Sequence, residues 1–287
     1  MSSNALEIRE LTKTFCDFKL DGVSFSLPTG FIMGLVGKNG AGKTTTIKLI
    51  FDLLKKENGL IKIFGNDITN NYDFKQDIAV VFDDLYFIED WKITDVEKAV
   101  SPFYKKWDTT TFQFYLDKFN LNRKKKIKEC SKGMKLKISL AVALSHQARL
   151  LILDEPTSGL DPVARDELLD ILLEYIENEN NSVLFSTHIT SDLDKIADYL
   201  TIINNGKVFY TGLKDELFEK YCIVKGGIED LTPKLDKKLI GVRKGKTGFS
   251  ALLNVTDMGY ITDKIVVERA AVDEILIHID RKEKSLW

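Results

Sequence analysis

Apolar and polar residues alternate over residues 6–11 (LEIREL) and again over residues 23–27 (VSFSL), the period of strands with one face in a core. The second segment stops at the turn Pro28-Thr29-Gly30. Residues 31–36 form a wholly apolar run, as do residues 150–153, and such short runs are expected of central strands in a parallel sheet. Residues 60–64, 78–82 and 182–186 read as further strands. Residues 199–209 contain Asn205-Gly206, a hairpin signal. Helical spacing appears over residues 44–54, 135–147 and 162–177, the last with Pro162 suited to a first turn. Asp108 and Thr109 are candidate caps of a helix through Phe119, with Phe112, Tyr115, Leu116 and Phe119 as its apolar stripe. Strands alternating with helices imply an α/β fold with a mostly parallel sheet covered on both faces.

Between the apolar run 31–36 and the helix at 44–54 stands GKNGAGKT. Gly37, Gly40 and Gly42 lack Cβ atoms, so the backbone can curl and aim its N–H groups at an anion. The helix starting near Gly42 adds free N–H groups and the positive end of its dipole. Lys43 can reach β- and γ-phosphates, and the Thr44 hydroxyl can hold Mg²⁺. The candidate phosphate-binding set is therefore Gly37, Lys38, Asn39, Gly40, Ala41, Gly42, Lys43, Thr44 and Thr45. A second signal is the strand 150–153 ending in Asp154-Glu155. It places Asp154 beside Thr44 as a second Mg²⁺ ligand, and Glu155 where it can take a proton from an attacking water.

Composition narrows the class. The 287 residues are 44% hydrophobic and 29% charged, with a formal net charge of −2, an ordinary globular balance that offers no bulk argument for nucleic acid. The cysteines Cys16, Cys130 and Cys222 are scattered without metal-ligand spacing, so reduced cytosolic thiols are expected. The N-terminal segment lacks a signal-peptide pattern, and nowhere is there an apolar run of the roughly 18 residues that a membrane helix requires. Work at a membrane would need another chain to supply the span. The run Lys124-Lys125-Lys126 reads as a solvated turn. The texture is helical over residues 90–147, and a boundary is expected near Lys220. Residues 221–287 would then form a small accessory domain of mixed strand and helix.

Two further motifs complete an order. Ser131-Lys132-Gly133-Met134 precedes the helix 135–147, Ser158-Gly159-Leu160-Asp161 follows Glu155, and His188 follows the strand 182–186. Phosphate loop, Ser-x-Gly, Leu-Asp-Glu, Ser-Gly-Leu-Asp and His together resemble the ATP-binding subunits of ABC transporters over residues 6 to about 220. The resemblance implies a cassette with a parallel core, an N-terminal antiparallel β subdomain, an inserted helical subdomain and, here, a C-terminal extension. It implies two cassettes meeting head to tail around two ATP molecules. Ser131 and the Gly133 backbone of one chain would contact the γ-phosphate held by the other, Asp161 would lie at the contact, and His188 would orient the attacking water. Phe15 matches the family's adenine platform, although a core role explains it as well.

The chain departs from the family where a glutamine is usual. Asp83 stands there and is expected to sense Mg²⁺. Lys132 replaces a glycine, adding a cation, and Met134 replaces a glutamine. Beyond Asp83, the aromatics Tyr86, Phe87 and Trp91 fall in the region that faces the membrane subunit in the family, or else pack in the helical subdomain. The resemblance implies the ATP-hydrolysing subunit of a transporter, of the bacterial exporter type, peripheral on the cytoplasmic face of the membrane. Its partners would be an integral membrane subunit and a second cassette, identical or related. Two alternatives stay open: an ABC ATPase acting on ribosomes or DNA, and an ATP-binding regulatory module with weak hydrolysis.

Overall fold

Half-buried alternation yields an antiparallel sheet at the N-terminus of the computed structural model, which describes residues 4–69, 71–82 and 87–284. β1 (Asn4–Thr14) lies between β2 (Lys19–Pro28) and a later strand, and its Leu6, Ile8 and Leu11 are buried. β3 (Ile32–Val36) is buried at every position. β4 (Asn58–Ile63) pairs with β1 and carries the short β5 (Asn66–Asp67) at the sheet edge.

The central sheet takes β3 together with β6 (Ile78–Val81), β7 (Leu150–Asp154), β8 (Ser182–Thr187), β9 (Tyr199–Asn204) and β10 (Lys207–Leu213). The six strands run in the order β10-β9-β3-β8-β7-β6. All pairs are parallel except β9 with β10, the hairpin expected from Asn205-Gly206. Both turn residues have positive φ, 43° and 76°, which is why an Asn-Gly pair sits there. Gly206 is wedged against two neighbours. Its N–H donates to the Ala41 carbonyl at 2.9 Å, its carbonyl accepts from the Asp21 N–H at 2.8 Å, and a Cβ would meet the Lys19 carbonyl at 1.9 Å.

The carboxyl ends of β3, β7 and β8 lead into the phosphate loop, Glu155 and His188, so candidate chemistry gathers along one edge of the sheet. α1 (Lys43–Ile50) follows β3. It is shorter than the apolar spacing over 44–54 suggests, because Phe51 caps it and Asp52 turns into the left-handed region at φ 57°. The inserted segment contributes α2 (Ile93–Val100), α3 (Thr109–Lys118) and α4 (Lys132–Ser145). Asp108 caps α3 by accepting from the Thr110 N–H at 2.8 Å. Phe112, Leu116, Leu136 and Leu140 belong to the same buried cluster as Leu151 and Leu153, so these helices share the core of the sheet.

α5 (Pro162–Ile176), α6 (Thr190–Ile196) and α7 (Lys214–Lys220) complete the first part of the chain. β11 (Tyr221–Gly226) then opens a separate antiparallel sheet with β12 (Ile240–Lys244), β13 (Phe249–Asn254) and β14 (Val266–Arg269), ordered β12-β13-β11-β14. The short α8 (Pro233–Asp236) and the terminal α9 (Val272–Lys284) pack with it. Val224, Leu235, Phe249, Ala251 and Leu253 form a core cluster of their own there.

Candidate functional site

The phosphate loop is built by close approach. A Cβ on Gly37 would meet the Ile203 carbonyl at 2.3 Å, and one on Gly42 would meet Leu20 Cδ1 at 2.9 Å and Phe18 Cζ at 3.0 Å. Gly40 and Gly42 hold φ of 79° and 115°, which an L side chain rarely adopts. The Ala41 N–H closes the loop on the Lys38 carbonyl at 3.0 Å. No side chain caps α1, so its first N–H groups remain for an anion. Lys38, Asn39, Gly40 and Thr44 are exposed along this rim, Thr45 is half-buried, and Gly37, Ala41, Gly42 and Lys43 are buried beneath it.

Lys43 folds back into the loop. Its Nζ donates to the Gly37 carbonyl at 2.6 Å and the Lys38 carbonyl at 3.3 Å, and stands 3.0 Å from Glu155 Oε1. Glu155 Oε2 lies 2.7 Å from His188 Nδ1 and accepts from the His188 backbone N–H at 3.3 Å. Lys43, Glu155 and His188 therefore form one polar chain across three strand ends. Glu155 sits at φ 50°, an unusual conformation for a non-glycine residue, held by its N–H donating to the carbonyl and hydroxyl oxygens of Ser186, both at 3.1 Å. Its buried Oε1 has an ion-pair neighbour but no aligned hydrogen-bond donor among the described residues. The same Ser186 hydroxyl donates to Asp154 Oδ1 at 2.6 Å, and both side chains are buried. Ser186 thus holds the Asp154 carboxylate and the Glu155 backbone beside it, a role that motif reading missed. The only sequence signal is a hydroxyl at the end of an apolar strand.

The cradle, the uncapped helix, Lys43 and the under-satisfied Glu155 suit a polyphosphate with a water beside it. Thr44 and Asp154 supply hard oxygen donors suited to Mg²⁺. Asp83, expected to join them, and Tyr86 lie outside the described residues. Phe87 and Trp91 are partly buried against the core cluster, so both pack rather than stand free. Phe15 is 40% exposed and tilts against Phe18, the ring that approaches Gly42, which places it at the rim of the loop.

Ser131 and Gly133 are elsewhere. They line a cavity of 270 Å³ with Lys132, Met134, Gly159 and Asp161, and none of the phosphate-loop residues line it. The helix here begins earlier than the spacing over 135–147 suggested. Ser131 is the cap of α4, accepting from the Met134 N–H at 3.3 Å, so Lys132 and Gly133 lie in the first turn. Lys132 extends over Gly159, within 3.8 Å of where a Cβ would stand. Asp161 caps α5 and accepts from the Val163 and Ala164 N–H groups, each at 3.0 Å. The Ala164 bond foremost, and the Val163 bond after it, hold its carboxyl below the usual range. A further cavity of 870 Å³, lined by Lys106, Arg149 and Tyr175, lies by the amino end of β7, away from Asp154 at its carboxyl end.

Known proteins resemble this chain in sequence and fold. The family described as ABC transporter matches residues 20–158. The lantibiotic transport ATP-binding protein SrtF of Streptococcus pyogenes is 32% identical over 227 residues, covering 76% of this chain and 97% of that protein. The daunorubicin/doxorubicin resistance ATP-binding protein DrrA of Streptomyces peucetius is 31% identical over 231 residues, covering 75% and 67%. A solved ATP-binding subunit of an ABC transporter superposes with a TM-score of 0.68 at 27% identity, covering 75% of this chain and 92% of that one.

Proposed function

Since the chain belongs to the ABC transporter ATP-binding family, whose members are ATPases coupled to transport, we propose that it powers an exporter through a separate membrane-spanning subunit. No helix among the described residues is long and apolar enough to cross a membrane. Relatives named for lantibiotic transport and drug resistance support the exporter reading. The site of action would be the cytoplasmic face of the membrane, where ATP is available.

The substrate triphosphate lies along residues 37–45, with backbone N–H groups and the α1 terminus facing it. Lys43 leaves Glu155 and pairs with the phosphates. Glu155, freed of that cation, accepts a proton from the attacking water, while His188 holds the carboxylate from its other oxygen. Mg²⁺, when bound, would neutralise charge developing on the phosphate oxygens, and Thr44 and Asp154 are the residues to hold it. Ser186 keeps Asp154 oriented.

The observation that carries the two-chain reading is the separation of half-sites. Ser131 and Gly133 stand at a helix start lining a cavity without the loop, which supports a second cassette bringing them to the nucleotide. Lys43→Ala and Ser131→Arg variants test this directly. Each alone should lose hydrolysis. Mixed in equal amounts, about half the dimers are mixed and each carries one intact site of two, so about a quarter of the activity should return. A mixture as inactive as its parts would refute the homodimer. Recovery of a membrane-spanning chain from a detergent extract tests the transport reading, and its repeated absence would overturn it.

A further inference from the structure

The terminal helix of the accessory sheet does not point into solvent. α9 turns Val272, Ile275 and Ile279 into the core, and the His278 ring meets the Gly241 carbonyl at 2.7 Å through Nδ1. Gly241 is forced here, since its φ is +59° and a Cβ would meet the His278 carbonyl at 1.7 Å. The helix is therefore fastened to β12. Its adjacent stripe, spaced at one helical turn, carries Asp273, Leu276, Ile277 and Asp280. These four line a cavity of 540 Å³ whose other wall is Gly37, Lys38, Asn39, His188 and Thr190. Asp280 closes the gap by pairing with Lys38.

We infer that α9 is an autoinhibitory cap on the phosphate loop, held by the Lys38–Asp280 pair and released when ATP binds. The inference rests on the head-to-tail reading above, because the face that α9 covers is the one the partner's Ser131 helix would need. The chemistry gives the contact two states. Without nucleotide, the Asp280 carboxylate answers the Lys38 cation, and the negative end of the α9 dipole lies at the same end of the helix. With a triphosphate in the loop, the Asp273 and Asp280 carboxylates confront a polyanion across one cavity, and like charges repel. On the stripe that faces the loop, Ile277 is half exposed and Leu276 is partly buried against the core, while Val272, Ile275 and Ile279 anchor the opposite side. Release strips α9 of its packing on the loop side, so the helix opens locally more easily, while the His278–Gly241 contact keeps it tethered to its own sheet.

The test uses the full chain carrying Glu155→Gln, which retains bound ATP. Dimer formation is followed by sedimentation as ATP is added, and hydrogen exchange is read over residues 272–284 with and without ATP. Asp280→Asn should lower the ATP concentration for half-maximal dimer by about two- to five-fold, the range of a partly exposed ion pair. Asp280→Lys, which also attracts the phosphates, should lower it further. In the parent, ATP should raise exchange across α9. If that exchange does not change and both Asp280 variants dimerise at the parent's ATP concentration, the cap does not exist. If α9 loosens with ATP and no dimer forms in any variant, the cap stands and the two-chain reading falls.

Discussion

Replacing Glu155 with Gln separates two roles that the structure gives one carboxylate. Gln has nearly the same shape and keeps an acceptor, but it cannot take a proton from water. Loss of a positioned base lowers turnover by about 10²–10⁴-fold. Binding moves the other way. Glu155 Oε1 stands 3.0 Å from Lys43 Nζ, and the lysine is buried. At an effective dielectric of about 20, that separation gives a gross attraction of roughly 5 kcal/mol. Desolvation cancels most of it, and the Gly37 carbonyl stays on the ammonium at 2.6 Å. A net of about 1–2 kcal/mol remains for ATP to overcome when it takes the lysine. Removing the charge should therefore tighten ATP binding by about 5- to 30-fold. Phosphate release measures the first effect, and titration calorimetry with ATP the second. Phosphate release within about threefold of the parent would deny Glu155 the role of base. Unchanged or weaker ATP binding would refute the competition for Lys43.

Ser186→Ala strips the donor from buried Asp154 Oδ1 and one of two acceptors from the Glu155 N–H, and urea titration should show a loss of about 1–3 kcal/mol. His146 is buried with its ring stacked on Tyr104 at 3.9 Å, and burial lowers its pKa from 6.5 to about 4. Between those values the unfolded chain binds the extra proton, so the stability present above the unfolded pKa is lost as pH falls. The loss should be roughly 2 kcal/mol from pH 7 to pH 5, and His146→Phe should flatten it in urea titrations at the two pH values. Gly241→Ala should raise hydrogen exchange over residues 272–284 without nucleotide, because the added Cβ collides with the His278 carbonyl that seats α9.

Much of the fold was legible because local signals were strong. Alternation marked β1 and β2, apolar runs marked β3 and β7, and Asn205-Gly206 marked the hairpin. The phosphate loop was visible because close backbone approach admits only glycine at fixed offsets. Element ends were less so. α1 stops at Ile50 although apolar spacing continues to Leu54, because periodicity does not record a backbone turning at Asp52. α4 begins at Lys132 because the Ser131 hydroxyl caps it, a signal overlooked beside the later apolar stripe. Ser186 and Asp280 could not be singled out at all. One acts through a neighbouring strand and the other across a distance of 242 residues in the chain, so only the folded arrangement pairs them with Asp154 and Lys38.

Hairpin tips are ordinarily where a protein tolerates tags, dyes and drift in length. The tip at Asn205-Gly206 is different, because Gly206 holds the Ala41 carbonyl on one side and the Asp21 N–H on the other. A reporter group or a lengthened turn placed there would pry the N-terminal sheet from the loop and blunt nucleotide capture from the rear. Labelling schemes should spare this tip, and natural variants with an insertion at it should be scarce.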